Sequence, residues 1–389
     1  MLLAAGSASA EPALRLNEEG VRLAAAGRLQ EAGAAFAEAL RLRPGDPLIR
    51  RNFSRLHTTR GNRWLAGGEV DRAREAYRAA LELSVEEVSP LLGLGDVALR
   101  LRDPRAAAES YRQAIALDPE SPVGYARLGE ALFQQGDAAA ALAEWQRALT
   151  LDPGDSRLRE RVGGVERELR VAGGYRSRES QHFRVIYEGG RREDVGRELL
   201  AILERAYVDI GYELGAYPPT AVETIFYGDR DFVEATGVAA GVGGFYHLLD
   251  GKIRVAVRSL NPQDGRLRFL LYHEYAHALI HAVTQGNNPP RWVHEGLAIH
   301  LERQRAADFR AEAVRQARRG AAPPLDSSPY VHGSTAMEYL IDRHGMSAVR
   351  MLLRMLGEGQ AFPEAFQAVY RMPVAAFEEE FRAHLIRGN

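Results

Sequence analysis

The sequence predicts a multidomain chain in which an all-α solenoid of helical repeats is followed by an α+β domain. Three observations lead there. Small residues, aromatics and a closing proline recur with a period of 34 over roughly residues 13–155. Beyond Gly173-Gly174 the small-residue helical pattern gives way to short alternating runs typical of strands. Within that second part, His273-Glu274-Tyr275-Ala276-His277 lies inside an apolar run, 267–283, with helical spacing. At 389 residues, 46% apolar and 26% charged, the chain can build two or three domains with substantial cores.

Residues 1–12 end in an Ala-x-Ala pattern but lack a basic segment and a full apolar stretch. They look like the tail of a signal peptide, which implies an exported, periplasmic protein; the alternative is an alanine-rich N-terminus on a cytoplasmic one. A net charge of −2 gives no basic signal, so nucleic acid and anionic membrane are poor default partners. The cations are almost all arginine, Lys252 being the lone lysine, and they are scattered. No run reaches the length of a transmembrane helix. With no cysteine, disulfides and thiolate ligands are excluded, leaving His, Asp and Glu to bind any metal.

The repeats are read from Pro119 and Pro153. The third carries Leu94-Gly95, Ala107, Tyr111 and Ala114, and the fourth carries Leu128-Gly129, Ala141, Trp145 and Ala148 at the same offsets. The first supplies Gly20, Leu23, Ala32, Phe36, Ala39 and Pro44; the second supplies Gly61, Trp64, Ala73, Tyr77 and Ala80, with Val85 in place of the closing proline. This pattern resembles the tetratricopeptide repeat, in which a small residue marks a helix crossing, an aromatic fills the gap and Pro follows the second helix. Repeat starts near 13, 54, 88 and 122 leave seven surplus residues in the first interval, near 47–53. Residues 157–171 are periodic without the signature and read as a capping helix, closing a domain at 13–172. The resemblance implies a concave groove that holds a protein partner.

In the second domain, 173–389, residues 182–187 and 222–227 read as strands and 195–214 as a helix. A short helix at 231–235 follows, and then 241–246 leads into an alternating run at 252–257. An exposed edge strand can pair with an extended peptide, and either 243–246 or 252–257 could supply it.

Residues four apart on a helix share a face, so His273 and His277 can bind one ion, and zinc suits such an imidazole pair. Glu274 can reach a water at the open position and serve as general base. The segment Pro290-Arg291-Trp292-Val293-His294-Glu295-Gly296 starts a second helix and places a carboxylate 18 residues after His277. A metzincin would have Gly at 280 and a ligand at 283, where this chain has Ile280 and Val283. A purely structural zinc site would need a fourth ligand from His281, His294, His300 or Glu302.

The pairing resembles the gluzincin metallopeptidases. Together with Tyr330 before a helix ending Tyr339-Leu340-Ile341-Asp342-Arg343-His344-Gly345, roughly 180–386 resembles a peptidase MA-like, thermolysin-like domain. That resemblance implies Zn2+ held by His273, His277 and Glu295, Glu274 as base, and a peptide or protein substrate. One place departs from it: where thermolysin-like enzymes have an acidic residue that orients the first histidine, this chain has Ile299. Glu302 is then the candidate partner. An oxyanion donor is also needed; Tyr330 takes that role, with His332 in the same loop as the alternative. The function implied is zinc-dependent peptide hydrolysis beside a binding scaffold; the alternative is a non-catalytic scaffold with an inactive peptidase-like domain.

Overall fold

The computed structural model describes residues 10–188, 195–239, 241–257, 265–302, 306–320 and 323–387. They pack as two compact units, Met1–Glu166 and Arg167–Asn389, so the division falls inside a helix, Ser156–Ala172, ahead of the Gly173-Gly174 pair. Of the suggested signal remnant, residues 1–9 lie outside the described residues, and Ala10 already begins a helix.

The first unit is four helical hairpins, α1 (Ala10–Ala25) with α2 (Leu29–Leu42), α3 (Pro47–Ala66) with α4 (Val70–Leu83), α5 (Val88–Arg100) with α6 (Pro104–Leu117), and α7 (Pro122–Gln134) with α8 (Ala138–Leu151). Each crossing is made by the predicted pair. A Cβ added to Gly20, Gly61, Gly95 or Gly129 would stand 2.8, 2.6, 2.2 or 2.4 Å from Phe36, Tyr77, Tyr111 or Trp145 respectively. Beside each aromatic an alanine, Ala32, Ala73, Ala107 or Ala141, is fully buried. The seven surplus residues are helical: α3 has 20 residues against 13 in α5 and α7, which is two additional turns. They are held by Asp46, whose carboxylate accepts from the amides of Leu48 and Ile49, and by Pro47 in the first turn. The first part of α9 (Ser156–Ala172) closes the array, with Val162 and Val165 buried and the Arg161 guanidinium 4.8 Å from the Trp145 ring.

The second unit is built on a five-stranded sheet, β1 (Arg176–Glu179), β2 (Phe183–Tyr187), β3 (Val222–Tyr227), β4 (Gly244–His247) and β5 (Lys252–Ala256), in the order β1-β2-β3-β5-β4. The three central strands are parallel and both outer ones antiparallel. Strand alternation divides the side chains between two faces. Phe183, Val185, Phe226, Ile253 and Val255 join α10 (Val195–Leu214) and α12 (Gly265–Val283) in the main core, whereas Ile225 and Tyr227 meet Phe232 of α11 (Asp229–Thr236) on the other face. Arg254, buried on β5, is bound by Asp250 at 2.5 Å and Glu168 at 2.8 Å, which fixes the β4–β5 hairpin. β1 escaped the sequence reading because Arg-Ser-Arg-Glu is exposed throughout and carries no apolar alternation. So did a helix at Ala306–Arg318, α14, whose fully buried core residues are the small Ala313 and Ala317, with Val314 partly buried beside them.

The rest is helical: α13 (Arg291–Glu302), a 3-10 turn (Leu325–Ser327), a π turn (Pro329–Gly333), α15 (Ser334–His344), and three further helices, α16 (Met346–Gly357), α17 (Phe362–Tyr370) and α18 (Val374–Arg387). No described helix is long and apolar enough to cross a membrane.

Candidate metal centre

The buried middle of α12 presents His273 and His277 from one face, with their Nε2 atoms 3.1 Å apart. Oε2 of Glu295, one turn into α13, stands 3.5 Å from each of those nitrogens. A tetrahedral ion with ligand bonds of roughly 2.0–2.2 Å needs ligand atoms about 3.3 Å apart. The three atoms form a triangle of that size, so these residues fit a zinc ion. They are the one group among the described residues in which three metal-binding side chains converge within 4.8 Å. The possible fourth ligands, His281, His294, His300 and Glu302, stand outside it.

α13 is brought to α12 by close backbone packing. A Cβ on Gly296 would be 2.5 Å from the carbonyl oxygen of Gly333 in the π turn, and one on Gly333 would be 2.7 Å from that of Trp292. Trp292 is buried and stacks on Phe377 at 5.8 Å, and its amide donates to Asp326 at 3.2 Å. These contacts turn Glu295 toward the histidines.

The electrostatics follow from burial among opposite charges. Burial disfavours an imidazolium at His273, yet the carboxylates of Glu295 and Glu302 outweigh it and raise the pKa to about 9. Burial would likewise raise Glu295, but His273 and His277 hold it well below the usual carboxylate range. Glu274 is buried and its carboxyl is pushed up, against the pull of His277 and His273. His294 is driven down to about 3 by burial, with the His277 charge adding to the effect.

Of the two candidate edge strands, Gly244–His247 is the outer one, and Lys252–Ala256 lies between it and β3. The edge passes beside Glu274: a Cβ on Gly244 would be 3.5 Å from its Cγ, and the Tyr246 backbone favours the charged form of that carboxylate. Glycine there permits the approach.

Glu302 lies two turns beyond Glu295, and its buried Oε2 is 3.0 Å from Nδ1 of His273. The partner expected one turn after Glu295 is thus supplied a turn later, and Ile299 packs in the interior. The two proposed oxyanion donors part company. His332 turns inward, Nδ1 2.9 Å from the Ser328 hydroxyl, toward Leu325 and Phe381. Tyr330 is 44% exposed with the Arg291 guanidinium 5.7 Å over its ring, and Nε of Arg291 is 3.9 Å from Oε1 of Glu295. Arg291 had no signal in the sequence; its place at the rim depends on the π turn.

Residues 92–156 match the tetratricopeptide repeat family, and with the fourfold spacing they establish the first unit as a tetratricopeptide-repeat array. Solved structures similar to the chain include the first tetratricopeptide repeat of Spaghetti (RPAP3) bound to an HSP90 peptide, at 20% identity over 30% of this chain and 93% of that one, TM-score 0.29. YrrB, described as a tetratricopeptide-repeat protein with an unusual peptide-binding site, is 19% identical over 42% and 81%, TM-score 0.33. TTC0263 of Thermus thermophilus is 22% identical over 40% and 98%, TM-score 0.25. No curated protein matches the chain.

Proposed function

We propose that this is a zinc-dependent metallopeptidase carrying a repeat array that binds a substrate or partner protein. The observation that carries the reading is the triangle of His273, His277 and Glu295 with the buried carboxylate of Glu274 beside it. A zinc ion held there would lower the pKa of a water at its open position to about 7 and polarise a carbonyl oxygen. Glu274 takes the proton of the attacking water and returns it to the leaving amine. Tyr330 donates to the developing oxyanion, and the β4 edge, adjacent to Glu274, pairs with the extended backbone of the substrate.

A second reading, a non-catalytic scaffold with an inactive peptidase-like domain, is favoured by the family match, which touches the repeats alone. Zinc analysis of the purified protein, followed by incubation with unfolded protein with and without a chelator, separates the two. One zinc per chain and chelator-sensitive cleavage support the peptidase; zinc without cleavage leaves the scaffold.

A further inference from the structure

His273 and His277 enter the centre from one helix yet are held differently. Nδ1 of His273 has the Glu302 carboxylate 3.0 Å away as an ion-pair contact, off the line of a well-aligned hydrogen bond, whereas Nδ1 of His277 is buried with neither an ion-pair nor a hydrogen-bond partner. The outer nitrogen of a metal-binding histidine is ordinarily what fixes its ring, since the second side-chain torsion of histidine is soft. With no such bond, the His277 imidazole can swing its Nε2 out of line with the other two ligand atoms.

What stands against that swing is a flat surface. The His294 ring lies 4.5 Å from the His277 ring, with the planes 4° apart. His294 comes from α13, immediately before Glu295, so the close packing of Gly296 on Gly333 places stacking ring and carboxylate ligand together. Its own Nε2 is buried and unpartnered, and it stands outside the ligand triangle, so neither coordination nor a hydrogen bond from that atom accounts for its place.

We propose that His294 is a positioning residue whose ring, stacked on His277, sets the plane of that ligand as Glu302 does for His273. The proposal rests on the metal-centre reading above. It is tested on the full-length metal-free protein by zinc titration against a chromophoric chelator, and by the visible spectrum of the cobalt(II)-loaded protein. His294→Ala should raise the zinc Kd about tenfold, the lower end for loss of an outer partner, and should alter the cobalt bands. His294→Phe, which keeps a flat ring, should restore both. His294→Leu fills the space without a ring and should behave as the alanine variant, which covers a failure of that variant to fold. Wild-type affinity and spectrum in the Ala and Leu variants would overturn the positioning role alone, as would a Phe variant no better than Leu. A wild-type protein that takes up no zinc overturns the metal-centre reading and this role with it.

Discussion

In the repeat unit one contact is made four times: a glycine on the first helix of each hairpin meets an aromatic ring on the second. The second unit repeats nothing. Its centre is assembled from single contacts between distant elements, Glu302 on His273, Asp326 on the Trp292 amide and the Gly244 backbone beside Glu274, with Arg254 and Glu168, 86 positions apart, tying down the hairpin. Repeats lean on their neighbours, so an injury there is graded and local. A site built from unique contacts has no such redundancy, and each substitution should remove one nameable function.

The sharpest case is Glu274→Gln. The amide keeps the shape and loses the base, so turnover should fall about 100- to 10,000-fold with zinc content unchanged. Glu295→Gln should lose both zinc and turnover. Metal analysis beside a cleavage assay decides between them; an emptied site in the first variant and a filled one in the second would exchange the roles of the two carboxylates.

Next comes Tyr330→Phe, which deletes a hydroxyl and leaves the ring under Arg291. Loss of an oxyanion donor costs about 100- to 1,000-fold in kcat. Because Tyr330 is half-exposed, thermal stability and zinc content should stay near wild type. Full activity in this variant would remove the tyrosine from the mechanism, and the inward-turned His332 would not replace it.

Glu302→Gln should act through His273, raising the zinc Kd about 10- to 100-fold. A proton count gives a second measure. In the metal-free protein the His273 pKa is raised from 6.5 to about 9, so its protonated form stabilises the fold fully below pH 6.5, a contribution lost as pH rises through about 9. Zinc must displace that proton, so binding at pH 7.5 should release about one proton and tighten as pH rises. In Glu302→Gln one of the three carboxylates that raise the pKa, Glu295, Glu302 and Glu274, is neutral, and calorimetry in buffers of different ionisation heat should find fewer protons released.

The same contrast explains what the sequence disclosed. A crossing repeated four times leaves its own statistics in the chain, so Gly95, Tyr111 and their equivalents stand out without any structure. The ligand pair is legible because both histidines sit one turn apart on a single helix. Glu295 needed a resemblance, since nothing in the spacing of two helices says that they pack together. Beyond the ligands the signal fades: Glu302 was one candidate among several, and the π turn that places Tyr330 depends on a glycine-to-glycine contact, Gly296 to Gly333, across 37 positions of sequence. Local periodicity cannot encode that.

The smallest effect expected lies in the repeats, where glycine-to-alanine changes probe the common contact. A Cβ at Gly129 would meet Trp145 at 2.4 Å, and the indole has little room to yield: its Nε1 donates to the Ala126 carbonyl at 3.1 Å, Phe133 lies 5.4 Å to one side and Arg161 4.8 Å from the ring. Overpacking of this kind costs about 1–3 kcal/mol. Alanine in a helix interior returns about 1 kcal/mol relative to glycine. The net destabilisation of Gly129→Ala is then about 0–2 kcal/mol, to be measured as a shift in the urea midpoint of helical unfolding. Gly95→Ala, with Tyr111 only 2.2 Å away, should cost more than Gly20→Ala, where Phe36 is 2.8 Å away. A series that follows these distances would show the four crossings to be one contact; a stabilising Gly95→Ala would break the equivalence and mark that crossing as able to shift its tyrosine.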